Sequence, residues 1–385
     1  MSGTTERGYD VAVVGSGIIG LGVAFAAHAR GQRVIVFDRG SEPTGASVRN
    51  FGHLCFTPQH GIARDFAFAS RELWLTLAAE AGVWLRQSGT LVAARHDDEL
   101  AVLDEFAAER NGEVELLTAS EASARMPLAP GTAVGGAFLP LDLQVNPRQA
   151  VASIAAHLAR HGVEFRYRTS VGSIRCGRVE TSRGAVDARE IVVAANHDID
   201  QLFPDLAEQH GIERCGLDML RVSTTLRTPL AAPLLTGWSL VRYGGFAAMP
   251  TAGALRERLH TEDPALAALD LNQMYTQLPD GSLIVGDTHY RGTAIAPFQS
   301  EASFDALLAI TRELFGVTDL RVLERWQGVY ASGPNDFLID QPEPGVSVLA
   351  ATTGIGMTTG LGLADNLVAG LLGEGAISST LKGTA

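Results

Sequence analysis

Tyr9 to Gly20 reads YDVAVVGSGIIG, and Val34 to Asp38 reads VIVFD. An apolar run of strand composition meets Gly15-Ser16-Gly17-Ile18-Ile19-Gly20, an apolar helical stretch follows, and a second apolar strand ends on an acid. That order predicts a βαβ unit built to hold a dinucleotide. Gly15 permits the tight turn out of the strand, Gly17 lets the backbone approach a pyrophosphate, and Gly20 lets the helix pack closely on the strand. The helix starting near Ile18 offers unpaired N–H groups and the positive end of its dipole to phosphate. Asp38 stands where an acid accepts hydrogen bonds from ribose hydroxyls, and its charge disfavours a 2′-phosphate. The motif alone leaves open whether the dinucleotide is NAD or FAD.

Working outward, 385 residues are long for one hydrophobic core, so two intertwined lobes are expected. The formal charge of −13 argues against non-specific binding to nucleic acid or to an acidic membrane surface. No uninterrupted apolar stretch reaches membrane-spanning length, and the N-terminus lacks the apolar core of a signal peptide. Cys55, Cys176 and Cys215 are widely spaced and odd in number, which fits a reducing cytoplasm and shows no metal-binding pattern. Lys382 is the sole lysine, so no lysine of the body of the chain can serve as an amine base or oxygen-activating cation.

Beyond Asp38 comes a polar, glycine-rich loop in place of a prompt third strand. Helices are predicted over 62–81, 99–110 and from Asn146-Pro147, where Asn caps and Pro occupies the first helical position. Strands are predicted over 89–94, 137–140, 163–167, 171–174, 178–181 and 190–195. From Arg214 to about His289 the pattern reads as mostly β, with a helix over 300–315 to follow. The chain then runs through a strand at 347–351, the glycine turn Thr353-Gly354-Ile355-Gly356, and a small-residue helix from about Met357 to Leu372.

Two later stretches narrow the cofactor. Gly45-Ala46-Ser47-Val48-Arg49-Asn50-Phe51-Gly52-His53 follows the second strand, and Leu349 to Asp365 reads LAATTGIGMTTGLGLAD. With these, the chain resembles the glycine oxidase/D-amino acid oxidase superfamily of FAD-dependent amine oxidoreductases. The resemblance implies a Rossmann-like α/β FAD-binding domain (1–85, 140–210, 320–385). An interleaved α+β substrate domain on a mainly antiparallel sheet (86–139, 211–319) would complete the fold. It implies non-covalent FAD held by Gly15 to Gly20, Asp38, Arg39, Ala46, Ser47, Arg49, Asn50, Gly52 and Val171. It also points the helix start at Gly354, Ile355, Gly356, Met357 and Thr358 toward the flavin pyrimidine edge. There a positive helix end would stabilise charge arriving on the ring. The superfamily often places a histidine in that turn, and this chain has none.

The strings GASVRNFGHL, LPLDLQVNPRQA, RCGLDMLR, VRYGGF, IVGDTHY and ERWQGVY are similar to a subfamily associated with aminophosphonate catabolism. The implied reaction is oxidation of a C–N bond in a small aminophosphonate, with O2 one candidate electron acceptor. Alternatives are a glycine, sarcosine or D-amino acid oxidase, a nicotinamide-dependent dehydrogenase, and a flavoprotein with no catalysis of its own in a larger complex. Arg221, Arg242, Arg291 and Arg325 are candidates to capture an acidic group. Arg221 and Arg242, with Met219 and Tyr330, make the expected substrate pocket. His53, Tyr243, His289 and Trp326 are the candidate catalytic residues, His53 also by its place in the motif as a site of covalent flavin attachment.

Overall fold

The computed structural model of the protein describes residues 8–374. Its N-terminal unit is β1 (Tyr9–Val14), α1 (Ile18–Ala29) and β2 (Val34–Phe37). β1 and β2 pair in parallel, Val11 opposite Val34 and Val14 opposite Phe37. All four residues of β2 are buried, as a strand covered on both faces requires. On its other edge β1 pairs in parallel with Gly184–Val193, which pairs in parallel with Val346–Thr353. The C-terminal glycine turn is thereby brought beside the N-terminal one, at the carboxyl ends of parallel strands, where open α/β sheets bind ligands.

One strand carries the sheet onward. Arg321–Glu343 pairs antiparallel with Val346–Thr353 through its second half and with Glu213–Ser223 through its first. Leu283–Gly292, Met274–Gln277, Leu234–Leu235, Thr90–Ala94, Gly135–Leu139 and Glu115–Thr118 follow in order, mostly antiparallel. The result is the expected α/β fold with a large, mixed, mainly antiparallel sheet. The length of Arg321–Glu343 is hidden in sequence because Gly333-Pro334 interrupts it. The register shifts between Ser332 and Phe337, and a bulge is where a strand tolerates proline.

Between Ser223 and Met274 the expectation of mostly β is corrected. This segment holds helices at Gly237–Leu240, Gly244–Ala247, Ala252–Glu262 and Pro264–Ala268. Most span too few residues to show a helical period. The last carries a readable start, because Asp263 accepts a hydrogen bond from Leu266 N at 3.0 Å and Pro264 occupies the first turn. The same logic works at Asn146, whose side chain accepts from Arg148 N at 3.2 Å.

Two cores dominate. One gathers α1, α2 (Gly61–Ala81), the helix Pro147–Arg160 and the helix Gly356–Leu371 around Phe66, Trp74 and Leu361. The other gathers Phe106, Phe246, Tyr275 and Phe315 in the second half of the sheet. Trp74 Nε1 donates to Met357 O at 2.9 Å, which anchors the C-terminal helix start against α2. Among the described residues no helix is long and apolar enough to cross a membrane.

Candidate functional site

A cavity of about 930 Å³ opens at the carboxyl ends of β1 and its parallel neighbours. One end is built by the turn after β1. Gly15 adopts φ +105°, a conformation that favours glycine. Gly17 has no side chain to cap α1, and Ser47 from the following loop takes over: its Oγ accepts from Ile18 N at 3.0 Å. Asp38 Oδ2 accepts from Ser16 N at 3.0 Å and from the Ser16 hydroxyl, while Oδ1 accepts from Gly40 N at 2.8 Å. A carboxylate has about four lone-pair sites, so one remains for a ribose hydroxyl.

Arg39 borders the cavity and pairs with Asp198 at 2.6 Å. Arg49 is exposed on the cavity rim. It donates to Gln327 O at 3.2 Å, and no carboxylate among the described residues lies within ion-pair reach of it. Asn50 shapes the loop from within, donating to Ala46 O at 2.9 Å and accepting from Gly52 N at 2.7 Å. Val171 also reaches the cavity, and Gly354, Ile355, Gly356 and Met357 form its middle wall. Gly354 turns at φ +79°, and the unpaired first-turn N–H groups of the helix it opens border the cavity.

The far end is polar and aromatic: Arg242, Tyr243, Asn272, Asp287, His289 and Tyr330 line it. His289 Nδ1 lies 2.9 Å from Asp270 O. A carbonyl only accepts, so Nδ1 carries the proton and Nε2 presents a lone pair. Nε2 is 3.5 Å from Asp287 Oδ2. Burial pushes the Asp287 carboxyl up to about 7 and His289 down to about 3. Beyond Arg242 and Tyr330, which line both, lies a second cavity of about 470 Å³ bordered by Arg256, His260, Asp270 and Arg291. Asp270 binds Arg242 and, at 2.7 Å, Arg291. Three guanidinium groups therefore border this cavity with one carboxylate among the described residues, and Arg256 donates to Val241 O in place of it.

Several expected site residues stand elsewhere. Arg221 lies outside both cavities, committed to Asp280, to Glu324 at 2.8 Å and to Ser282 at 2.9 Å. Arg325 pairs with Glu301 at 3.2 Å. Met219 is buried in the second core, and Leu217 of the same strand reaches the cavity instead. Trp326 packs behind the loop, under Arg148 at 5.1 Å, with Nε1 donating to Arg49 O at 3.4 Å. Gly20 and Gly52 are packed against backbone, with no cavity contact. Thr358 turns inward, its Oγ1 accepting from Cys55 N at 3.1 Å.

His53 is buried away from the cavity, its Nε2 2.6 Å from Thr90 Oγ1. It belongs to a polar knot with Cys55 and Asp142, whose ligand-capable atoms lie within 4.8 Å of one another. The chemistry there is that of hydrogen bonding. Asp142 accepts from Phe56 N, Thr57 N and Thr57 Oγ1, each at 2.9 Å, and from Thr90 Oγ1 at 2.8 Å. Burial pushes the Cys55 thiol well up, which keeps it protonated and a poor metal ligand. The knot pins the loop that carries Gln59 and His60 to the cavity wall.

Sequence reasoning did not single out Asp287, Asn272, Asp142 or Arg256. No alternation could have found the first: the register shifts at Asp287, between Asp218 opposite Thr288 and Met219 opposite Gly286, and a bulge breaks the period-2 pattern of its strand.

Residues 10–370 match the family model described as FAD dependent oxidoreductase. The chain is 30% identical over 204 residues to a glycine oxidase of Geobacillus kaustophilus, covering 49% of this chain and 54% of that protein. It thus spans about half the length of that relative. It is 24% identical over 374 residues to one of the polypeptides of an opine oxidase of Rhizobium meliloti, covering 90% and 89% of the two chains. The fold superposes on the crystal structure of glycine oxidase from Geobacillus kaustophilus with a TM-score of 0.77, at 22% identity and 96% coverage of each chain.

Proposed function

The chain belongs to the family of FAD-dependent oxidoreductases, and we propose that it oxidises a C–N bond in a small amine carrying an acidic group, an aminophosphonate above all. Its cofactor is FAD, which when bound supplies the two-electron acceptor for the hydride leaving carbon. The continuous cavity fits an extended dinucleotide. Gly15 to Ile18 and Arg49 would hold the pyrophosphate, Asp38 the ribose, and the Gly356–Met357 helix start the polar edge of the ring. Attachment is read as non-covalent, since His53 is spent on Thr90 away from the cavity. The imine left by oxidation adds water and releases a carbonyl product and the amine nitrogen.

One observation carries the substrate class. In a protein of net charge −13, the far end of the site opens onto a cavity bordered by Arg242, Arg256 and Arg291, with Asp270 the one carboxylate on it among the described residues and Asp287 beside Arg242 on the main-cavity side. A surplus of two positive charges with Asp287 protonated, and of one with it ionised, suits a phosphonate, and arginine forks bind such oxygens in pairs. The glycine oxidase and opine oxidase names of the relatives support oxidation at an amine carbon. O2 is the proposed acceptor of the electrons; the one lysine, Lys382, lies outside the described residues.

The test is anaerobic bleaching of the bound flavin by 2-aminoethylphosphonate and its N-methyl and hydroxylated forms, beside glycine, sarcosine and D-alanine. The aminophosphonates are expected to bleach fastest per unit concentration. Faster bleaching by glycine or D-alanine than by every aminophosphonate would end this substrate assignment and favour the amino acid oxidase reading. The near full-length match to one polypeptide of an opine oxidase supports a second reading, action within a hetero-oligomer. It is tested by whether bleaching requires a co-purifying chain.

A further inference from the structure

We propose that Asp287 and His289 together form the proton acceptor for the substrate's ammonium group, so that the amine meets the oxidising centre with its lone pair free. The inference rests on the amine-oxidising reading above and adds to it a group with a defined task. Two acceptor atoms carry it. Asp287 Oδ2 and His289 Nε2 face each other 3.5 Å apart in the wall of the main cavity, too far for a hydrogen bond between them as they stand. Both residues are nearly buried, at 5% and 8% exposure.

The other polar atoms of the pair are already served. His289 Nδ1 donates to Asp270 O. Asp287 Oδ1 accepts from Asn272 Nδ2 at 3.1 Å. Asn272 Oδ1 in turn accepts from Ser239 Oγ at 2.8 Å, which fixes the amide with its N–H toward Asp287. Among the described residues no side chain donates a hydrogen bond to Oδ2 or Nε2, and the Asp287 backbone N–H is committed to Asn272 O at 2.6 Å. Two lone pairs facing each other out of water are costly until a proton or a donor comes between them. A primary or secondary ammonium supplies both. It docks as a donor, then leaves one proton on the pair: R–NH3+ and the unprotonated pair become R–NH2 and the protonated pair. No heavy-atom bond changes in this step, and one positive charge moves from substrate to protein.

The surroundings set when the pair can accept. Arg242 and Arg291 oppose an added proton and Asp270 favours it, while Tyr243, Tyr330 and Cys215 are kept neutral by burial. Burial of Asp287 places the exchange near neutrality, where a general base works best.

The experiment uses the holoenzyme and Asp287→Asn. The substitution is isosteric, and its amide can donate to His289 Nε2, so the fold is kept; His289→Gln is the second variant. In wild type, kcat/KM for the best amine of the panel is expected to rise tenfold per pH unit below about 7 and then level. Asp287→Asn is expected to lose that limb and fall by about 10²–10⁴-fold. pH-difference infrared spectra of the resting enzyme report the carboxyl directly: a protonated band should vanish near pH 7 in wild type and be missing in the variant. An unchanged pH profile in Asp287→Asn, or no such band, overturns the proposal. If no amine bleaches the flavin but the band titrates and is lost in the variant, the amine reading fails and the proton site stands.

Discussion

Gly17→Ala and Gly20→Ala separate two demands that the opening motif makes of its glycines. Gly17 sits at φ −70° and ψ 178°, extended backbone that any residue adopts. A methyl there meets only Ser47 Oγ, at 3.2 Å. The fold should tolerate it, with stability changed by no more than about 1 kcal/mol, part of it a gain from a stiffer unfolded chain. The methyl would stand at the cavity wall, where the proposed pyrophosphate site needs bare backbone, and FAD affinity is expected to fall at least tenfold, about 1.4 kcal/mol. At Gly20 the balance reverses. A methyl would lie 1.9 Å from Gly15 O and 3.0 Å from Gly15 C, which are backbone atoms with little freedom to move. α1 would have to back off from β1 by more than 1 Å. Overpacking of that kind costs about 1–3 kcal/mol or more, against a total stability of about 5–15 kcal/mol. The assays are the flavin-to-protein ratio on purification and the urea midpoint after flavin removal. Gly17→Ala should lose flavin and keep its midpoint, whereas Gly20→Ala should lose the midpoint itself. Wild-type flavin content in Gly17→Ala, or an unchanged flavin-free midpoint in Gly20→Ala, would refute the reasoning.

Asp142→Ala should leave four buried donors without a partner and fail to fold, at about 1–3 kcal/mol for each, while Asp142→Asn keeps an acceptor and should express soluble protein. Burial raises the Asp142 carboxyl from 3.8 to about 6. Its favourable contribution is therefore complete below 3.8 and lost as pH rises through about 6. The loss amounts to about 3 kcal/mol. Urea midpoints should shift in favour of Asp142→Asn between pH 4 and pH 7, and parallel curves would refute the assignment. Arg221→Ala should change KM for an aminophosphonate by less than twofold, because its partners lie outside both cavities, whereas Arg242→Gln should raise KM by about 10-fold or more on loss of a charged hydrogen bond. Steady-state kinetics on the two variants side by side decide this, and a tenfold rise in Arg221→Ala would contradict the placement.

What could be read from sequence was what is local. The βαβ unit lies within Tyr9 to Asp38, its signals are adjacent, and the structure places Gly15, Ser16, Gly17, Ile18 and Asp38 together on the cavity. The glycine turn at Gly354 is equally local, and so is the Asn146 helix start. Arg221 shows the limit. In sequence it is an arginine in an alternating strand; its neutralisation depends on Asp280 and Glu324, which lie 59 and 103 positions away. His53 lies in the motif by position, yet the short strand that carries it pairs with Leu143–Val145 and turns the ring toward Thr90.

The sequence by itself thus determined the βαβ unit with its glycine turn, and pointed to FAD as the cofactor, as the family match has it. Glycine geometry and helix polarity act over a few residues and leave their mark in order. Only the tertiary structure decided which charges are free at the far end of the site. There Arg242 comes from one segment, Asp270 and Asn272 from a second, and Asp287, His289 and Arg291 from a strand beyond. Whether such a group binds a ligand or merely a neighbour depends on distances of a few ångströms across the sheet, because paired charges and burial cancel or redirect what each residue offers alone.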